Sequence, residues 1–135
     1  MKVREKGHNG EREFCKFMNN VKISDKSGKR IRFERNVDQV RDGGADIVAG
    51  RPLAIEVKRQ ERLLIDQWWQ QALSQVKDVN PIPVLALRQN HKKWRFFMQA
   101  SDICKSKYQV NDEDWMIEVG LEQFIYIARK LCGRY

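Results

Sequence analysis

One hexapeptide constrains this chain more than any other stretch: Leu53-Ala54-Ile55-Glu56-Val57-Lys58. Side chains alternate across a sheet, so Leu53, Ile55 and Val57 share one face while Ala54, Glu56 and Lys58 share the other. Glu56 and Lys58 therefore stand on one face, roughly 7 Å apart along the strand. Asp46, ten residues before Glu56, opens a preceding short strand just after the turn residues Gly43 and Gly44. Pairing of the two strands as a hairpin through Gly50-Arg51-Pro52 brings Asp46 close to Glu56. Two carboxylates meeting beside a lysine make a site for a hard divalent cation. The same residues also fit an exposed, salt-bridged strand face.

The flanking pattern predicts how that strand is covered. Asn9 can cap a helix in which Phe14, Phe17 and Met18 recur at helical spacing, running to Asn20. Ile31 to Asn36 alternates like a half-exposed strand, and Ala45 to Ala49 reads as the short strand carrying Asp46. Ile65, Trp69, Ala72, Leu73 and Val76 form an apolar stripe that predicts a helix over 65–78, broken by Asn80-Pro81 and Pro83. Val84 to Arg88 and Trp94 to Gln99 read as a hairpin turning through Gln89 to Lys93. A weakly patterned stretch follows, then a strand over Met116 to Val119. A last helix marked by Leu121, Phe124, Ile125 and Ala128 stops at Gly133. Helices interleaved with strands define an α/β domain built on a mixed sheet.

Charge points to the partner. The 135 residues carry 26 Lys+Arg against 18 Asp+Glu, a formal net charge of +8. Residues 1–41 hold twelve of the basic residues against six acids, and residues 88–107 hold six against Asp102 alone. Two basic segments suit a polyanion, whose condensed counterions are released when its phosphates are neutralised. The length fits one domain over 1–135, and a hydrophobic share of 41% excludes a disordered tail. No apolar run approaches the ~20 residues of a membrane span, and MKVREKGHNGERE has no apolar signal core, which predicts a soluble protein. Cys15, Cys104 and Cys132 are too few and scattered for a disulfide framework or a zinc knuckle, and fit a reducing cytoplasm.

Glu11 lines up with Phe14, Cys15 and Met18 on the core-facing stripe of the first helix. An acid there calls for a helix end, a cap or a positive partner, so both a helix-capping role and a metal-site role stay open. Gln71 and Gln75 share a face of the later helix, opposite the Trp69–Val76 stripe. From it Gln71 either reaches the site or simply meets solvent. Trp68 lies near that face, at the edge of the core or at a DNA or dimer contact. His8 and His91 have no partner at ligand-like spacing.

Taken together, these residues resemble the PD-(D/E)XK nuclease superfamily, and within it archaeal-type and phage Holliday junction resolvases. Lys6-Gly7 followed by Glu11-Arg12-Glu13-Phe14 is similar to the resolvase N-terminal helix with its metal-site glutamate. Arg35 stands where the family places an arginine before the active site. Gly44-Ala45-Asp46-Ile47-Val48-Ala49-Gly50 resembles its D-[IL]-V-A-G strand, with Ala45 in place of the superfamily's proline. Ile55-Glu56-Val57-Lys58 matches its I-E-V-K, and Ile82 to Leu87 followed by Trp94-Arg95-Phe96 resembles its later strand pair. Trp68-Trp69-Gln70-Gln71 looks more like the phage proteins than the archaeal ones.

The resemblance implies a restriction-endonuclease-like core, a mixed β-sheet flanked by helices. It implies hydrolysis of a DNA phosphodiester by water, leaving a 5′-phosphate, in four-way junctions, or else in duplex or flap DNA. Asp46, Glu56 and the Val57 carbonyl would hold Mg²⁺, with Mn²⁺ substituting, and Glu11 would support a second metal or orient a bound water. Lys58 would position the attacking water, with Gln71 a further catalytic candidate. Lys6, His8, Arg35, Arg41, Arg59, Lys92 and Lys93 are the expected DNA contacts. A homodimer would present two sites to a junction, in the cytoplasm (the host's, for a phage protein). The remaining alternative is a non-catalytic basic module that binds nucleic acid.

Overall fold

The computed structural model describes residues 3–37, 45–48, 51–104 and 115–135, with side chains from residue 9 onward. Gly43, Gly44, Ala49, Gly50 and Arg41 lie outside the described residues, as do the side chains of Lys6 and His8.

A six-stranded sheet of order β1-β2-β3-β4-β5-β6 forms the middle layer. Its strands are β1 (Glu34–Arg35), β2 (Ile47–Val48), β3 (Leu53–Arg59), β4 (Ile82–Arg88), β5 (Arg95–Gln99) and β6 (Met116–Val119). Only β3 and β4 run parallel, in register from Leu53↔Ile82 to Arg59↔Arg88; every other neighbouring pair is antiparallel. These two strands are central and covered on both faces, which is why they read as nearly unbroken apolar runs.

Helices α1 (Val3–Val21) and α4 (Leu121–Cys132) cover one face. Phe14, Met18, Phe124 and Ala128 bury there against Ile55, Val84 and Phe96, and the Phe96 and Phe124 rings stack at 4.1 Å. Helix α2 (Ile65–Ser74) covers the other, setting Trp68, Trp69 and Ala72 on Leu85, Leu87 and Phe97. Among the described residues, no helix is long and apolar enough to cross a membrane.

The boundaries differ from the sequence expectation in instructive ways. Helix α1 starts at Val3, so Asn9 lies inside it and accepts a hydrogen bond from Arg12 (3.3 Å) instead of capping. Of the expected strand Ile31 to Asn36, only Glu34–Arg35 joins the sheet. Asn19 of α1 takes over the ladder's role, donating to the Phe33 carbonyl (3.0 Å) and accepting from the Phe33 N–H (2.8 Å). Of the expected strand over 45–49, Ile47–Val48 are in the sheet; before them Asn36 donates to the carbonyls of Ala45 (2.9 Å, side chain) and Asp46 (2.8 Å, backbone). Helix α2 ends at Ser74 rather than 78. The chain turns at Lys77–Asn80, as the restricted backbone before Pro81 requires, and Val76 is left partly exposed. A four-residue helix, α3 (Ala100–Ile103), follows β5 where periodicity gave no signal. Gly133 ends α4 with ordinary right-handed geometry.

Candidate active site

The site grows out of strand register. Ile47 pairs with Ile55 across the antiparallel β2–β3 ladder, so Asp46 and Glu56 stand opposite each other on the next rung. Ile47 and Ile55 turn into the α1 side of the core, which sends both carboxyls to the α2 side. Both are buried, Asp46 at 7% exposure and Glu56 at 4%. The Val57 N–H donates to Asp46 Oδ2 at 2.9 Å, locking that carboxylate against β3. Lys58 Nζ lies 3.5 Å from Glu56 Oε1 and 5.9 Å from the centre of the Trp68 ring, so an indole face carries the ammonium.

Two acids this close and this dry cannot both ionise cheaply. Burial, then the neighbouring Asp46 charge, pushes the Glu56 carboxyl up to about 8 against the opposing pull of Lys58. A divalent cation would relieve the strain that protonation otherwise relieves. The donor set is hard oxygen, which suits Mg²⁺ rather than zinc. Among the described residues no three acidic, histidine or cysteine side chains gather around one point. Asp46, Glu56 and the Val57 carbonyl would therefore share a cation with water and phosphate oxygens, as Mg²⁺ tolerates.

Glu11 lies well inside α1, and its carboxylate accepts from Arg35 Nε at 2.9 Å. The positive partner demanded by its position is thus Arg35, and the helix-capping reading does not hold. Arg35 is engaged through Nε in that pair. Arg59 is also tied down: it donates to Asn90 Oδ1 (2.6 Å) and lies 3.8 Å from Glu13 and 3.9 Å from Glu61. Lys92 and Lys93 are exposed in the β4–β5 turn. The parallel pairing Arg59↔Arg88 brings that turn to the Lys58 end of β3, where hydrogen bonds from Gln89 and Asn90 to Glu61 (2.7 Å each) fix it.

For two α2 residues the sequence leaves alternatives open. Trp68 is 3% exposed and faces the sheet, because the buried stripe runs through Trp68, Trp69 and Ala72. Gln71, one turn on from Trp68, is half-buried, and its Oε1 is buried with no hydrogen-bond partner among the described residues. Sequence reasoning also passed over Gly10, where an added Cβ would lie 2.6 Å from Arg59 Cβ. A glycine inside a helix was the available signal for that close approach. The Arg88–Glu13 ion pair (2.9 Å), which fastens α1 to β4, left no sequence signal.

A central parallel strand pair, helices on both faces and two carboxyls with a lysine at the sheet's middle define a restriction-endonuclease-like nuclease fold. Residues 2–128 match the family described as "Phage putative PDDEXK endonuclease", and the chain belongs to that family. Among solved structures it is similar to Hjc of Archaeoglobus fulgidus, a Holliday junction resolvase from an archaeal hyperthermophile. That likeness has a TM-score of 0.52 at 20% identity and covers 90% of this chain and 97% of that one, which shows a shared fold. Among curated proteins, none matches this sequence.

Proposed function

We propose that the protein is a Mg²⁺-dependent endonuclease that cuts branched DNA, four-way junctions foremost, and that Mn²⁺ can replace Mg²⁺. The observation that carries this is the buried Asp46–Glu56 pair facing one way with Lys58 beside it. A protein that only bound DNA would gain nothing from two desolvated acids turned toward phosphate. The bound cation would supply Lewis acidity at the phosphate and a lowered pKa for the attacking water.

The chain's own residues do the rest. Asp46, pinned by the Val57 N–H, presents one fixed oxygen pair. Glu56, in its ionised form, would be the second carboxylate to hold the cation. Lys58, steadied on Trp68, holds the attacking water and offsets negative charge as the phosphate is crowded. Lys92 and Lys93 meet the backbone of the same DNA from the neighbouring turn. Two copies in a two-fold dimer would present two such sites to a junction, and the expected setting is the cytoplasm of a phage's host.

Cleavage of an immobile four-way junction, compared with linear duplex of equal length with and without EDTA, tests the proposal. The junction is cut faster, and EDTA stops the reaction. Asp46→Asn and Glu56→Gln abolish cleavage while DNA binding persists or tightens. Cleavage surviving both substitutions would remove the catalytic assignment.

A further inference from the structure

A second feature lies one rung along from the carboxyl pair. The β2–β3 ladder that sets Asp46 opposite Glu56 sets Val48 opposite Ala54 on the same face. A cavity of about 210 Å³ opens there. Its floor is apolar, formed by Ala54 with Val48 and Val79 at its lip, and those two valines stay 50% and 55% exposed. Gln75 and Lys77, just past the end of α2, add amide and ammonium groups to the rim.

The walls are fixed by hydrogen bonds. Asn80 donates to the Leu53 carbonyl (2.8 Å) and Arg51 donates to the Val79 carbonyl (3.1 Å), fastening the 77–80 turn to the start of β3. On the other side Asn36 donates to the Ala45 carbonyl at 2.9 Å. The 77–80 wall is therefore set before anything binds, as ligand sites usually are.

We infer that this cavity takes a single nucleobase, swung out of the stack beside the phosphate held at Asp46 and Glu56. The inference rests on the nuclease reading. Two residues of strand separate the cavity from the carboxyls, roughly 7 Å, which is within the reach of one nucleotide. An apolar floor with amides at the rim matches a base, whose faces are apolar and whose edges carry donors and acceptors. A base inside continuous duplex must unstack and unpair to enter, and that cost is least where the base already lacks a partner or a neighbour. The cavity would thus favour branch points and flaps over plain helix.

Val48→Trp fills the lip at a half-exposed strand position that accepts aromatic residues. Circular dichroism should match wild type. Two readouts then separate the outcomes. In EDTA, 2-aminopurine placed next to the cut phosphate of a branched DNA should brighten on binding wild type and stay dim with Val48→Trp. With Mg²⁺, the variant should keep its rate on duplex while its preference for branched DNA falls about tenfold. Unchanged emission on wild-type binding would overturn the inference. So would an equal loss of cleavage on both substrates, or a branched preference that the variant retains. If no DNA is cut by wild type, the nuclease reading fails instead, and the metal-free fluorescence still reports on the cavity.

Discussion

Glu56 concentrates the conflict between holding a fold and doing chemistry. Its folded carboxyl titrates near 8, above the ordinary 4.5, because it is dry and beside Asp46. An acid raised in this way is most favourable to folding below its unfolded value and costs stability as pH climbs toward its folded value. Glu56→Gln should therefore melt about 5 °C higher than wild type at pH 8.5 without metal, and close to wild type at pH 4.5. An equal gain at both pH values would deny the desolvated-acid reading. The thiols make a second residue-scale case. Burial, aided at Cys15 by the Glu11 charge, pushes Cys15 up to about 11, and burial pushes Cys132 to about 12. Since the thiolate is the reactive form, iodoacetamide at pH 8 should label only exposed Cys104 in the folded chain and all three cysteines in urea.

At the scale of elements, α1 is where local pattern and tertiary structure part company. The stripe through Phe14 and Met18 gave the helix and its buried face from sequence. Nothing local could show that Asn19 would stand in for a strand neighbour of Phe33, since that needs residues fourteen positions apart to meet. Asn19→Ala should cost about 1–3 kcal/mol in urea denaturation, because it strands a donor and an acceptor of the Phe33 backbone. The helix after β3 teaches the same lesson. Its existence was legible, but its register was shifted, because Trp68 serves both as packing against β4 and as the platform for Lys58. The Asp46–Glu56 pairing was legible because a ten-residue step through a short turn leaves one plausible register. The pattern asks of Glu11 a helix end, a cap or a positive partner, and cannot show that Arg35 fills the last role, since the two residues are 24 positions apart.

Across the whole molecule, the surplus of basic residues divides into cations that hold the fold together and cations left to meet a polyanion. Arg35, Arg59, Arg88 and Arg95 are all in ion pairs with acids, so they do not count at full weight toward DNA. Lys92 and Lys93 sit exposed at the end of the sheet where Lys58 lies. Replacing both with alanine should reduce the slope of log affinity against log salt by about 2, as expected for the loss of two phosphate contacts on duplex DNA. An unchanged slope would move the DNA path to another face.

The two carboxyls of the site are mounted on supports of very different stiffness. Glu56 rides a seven-residue strand flanked on both sides, whereas Asp46 precedes a two-residue strand that leans on an equally short neighbour. Local opening follows the weaker ladder, so the centre should come apart by release of the aspartate arm while the rest stays folded. Amide hydrogen exchange would show this as fast exchange at Ile47 and Val48 beside slow exchange at Val84 and Ala86, which β3 and β5 flank. Adding Mg²⁺ should slow the first pair selectively, as expected of a cation that clasps the aspartate arm to the sheet.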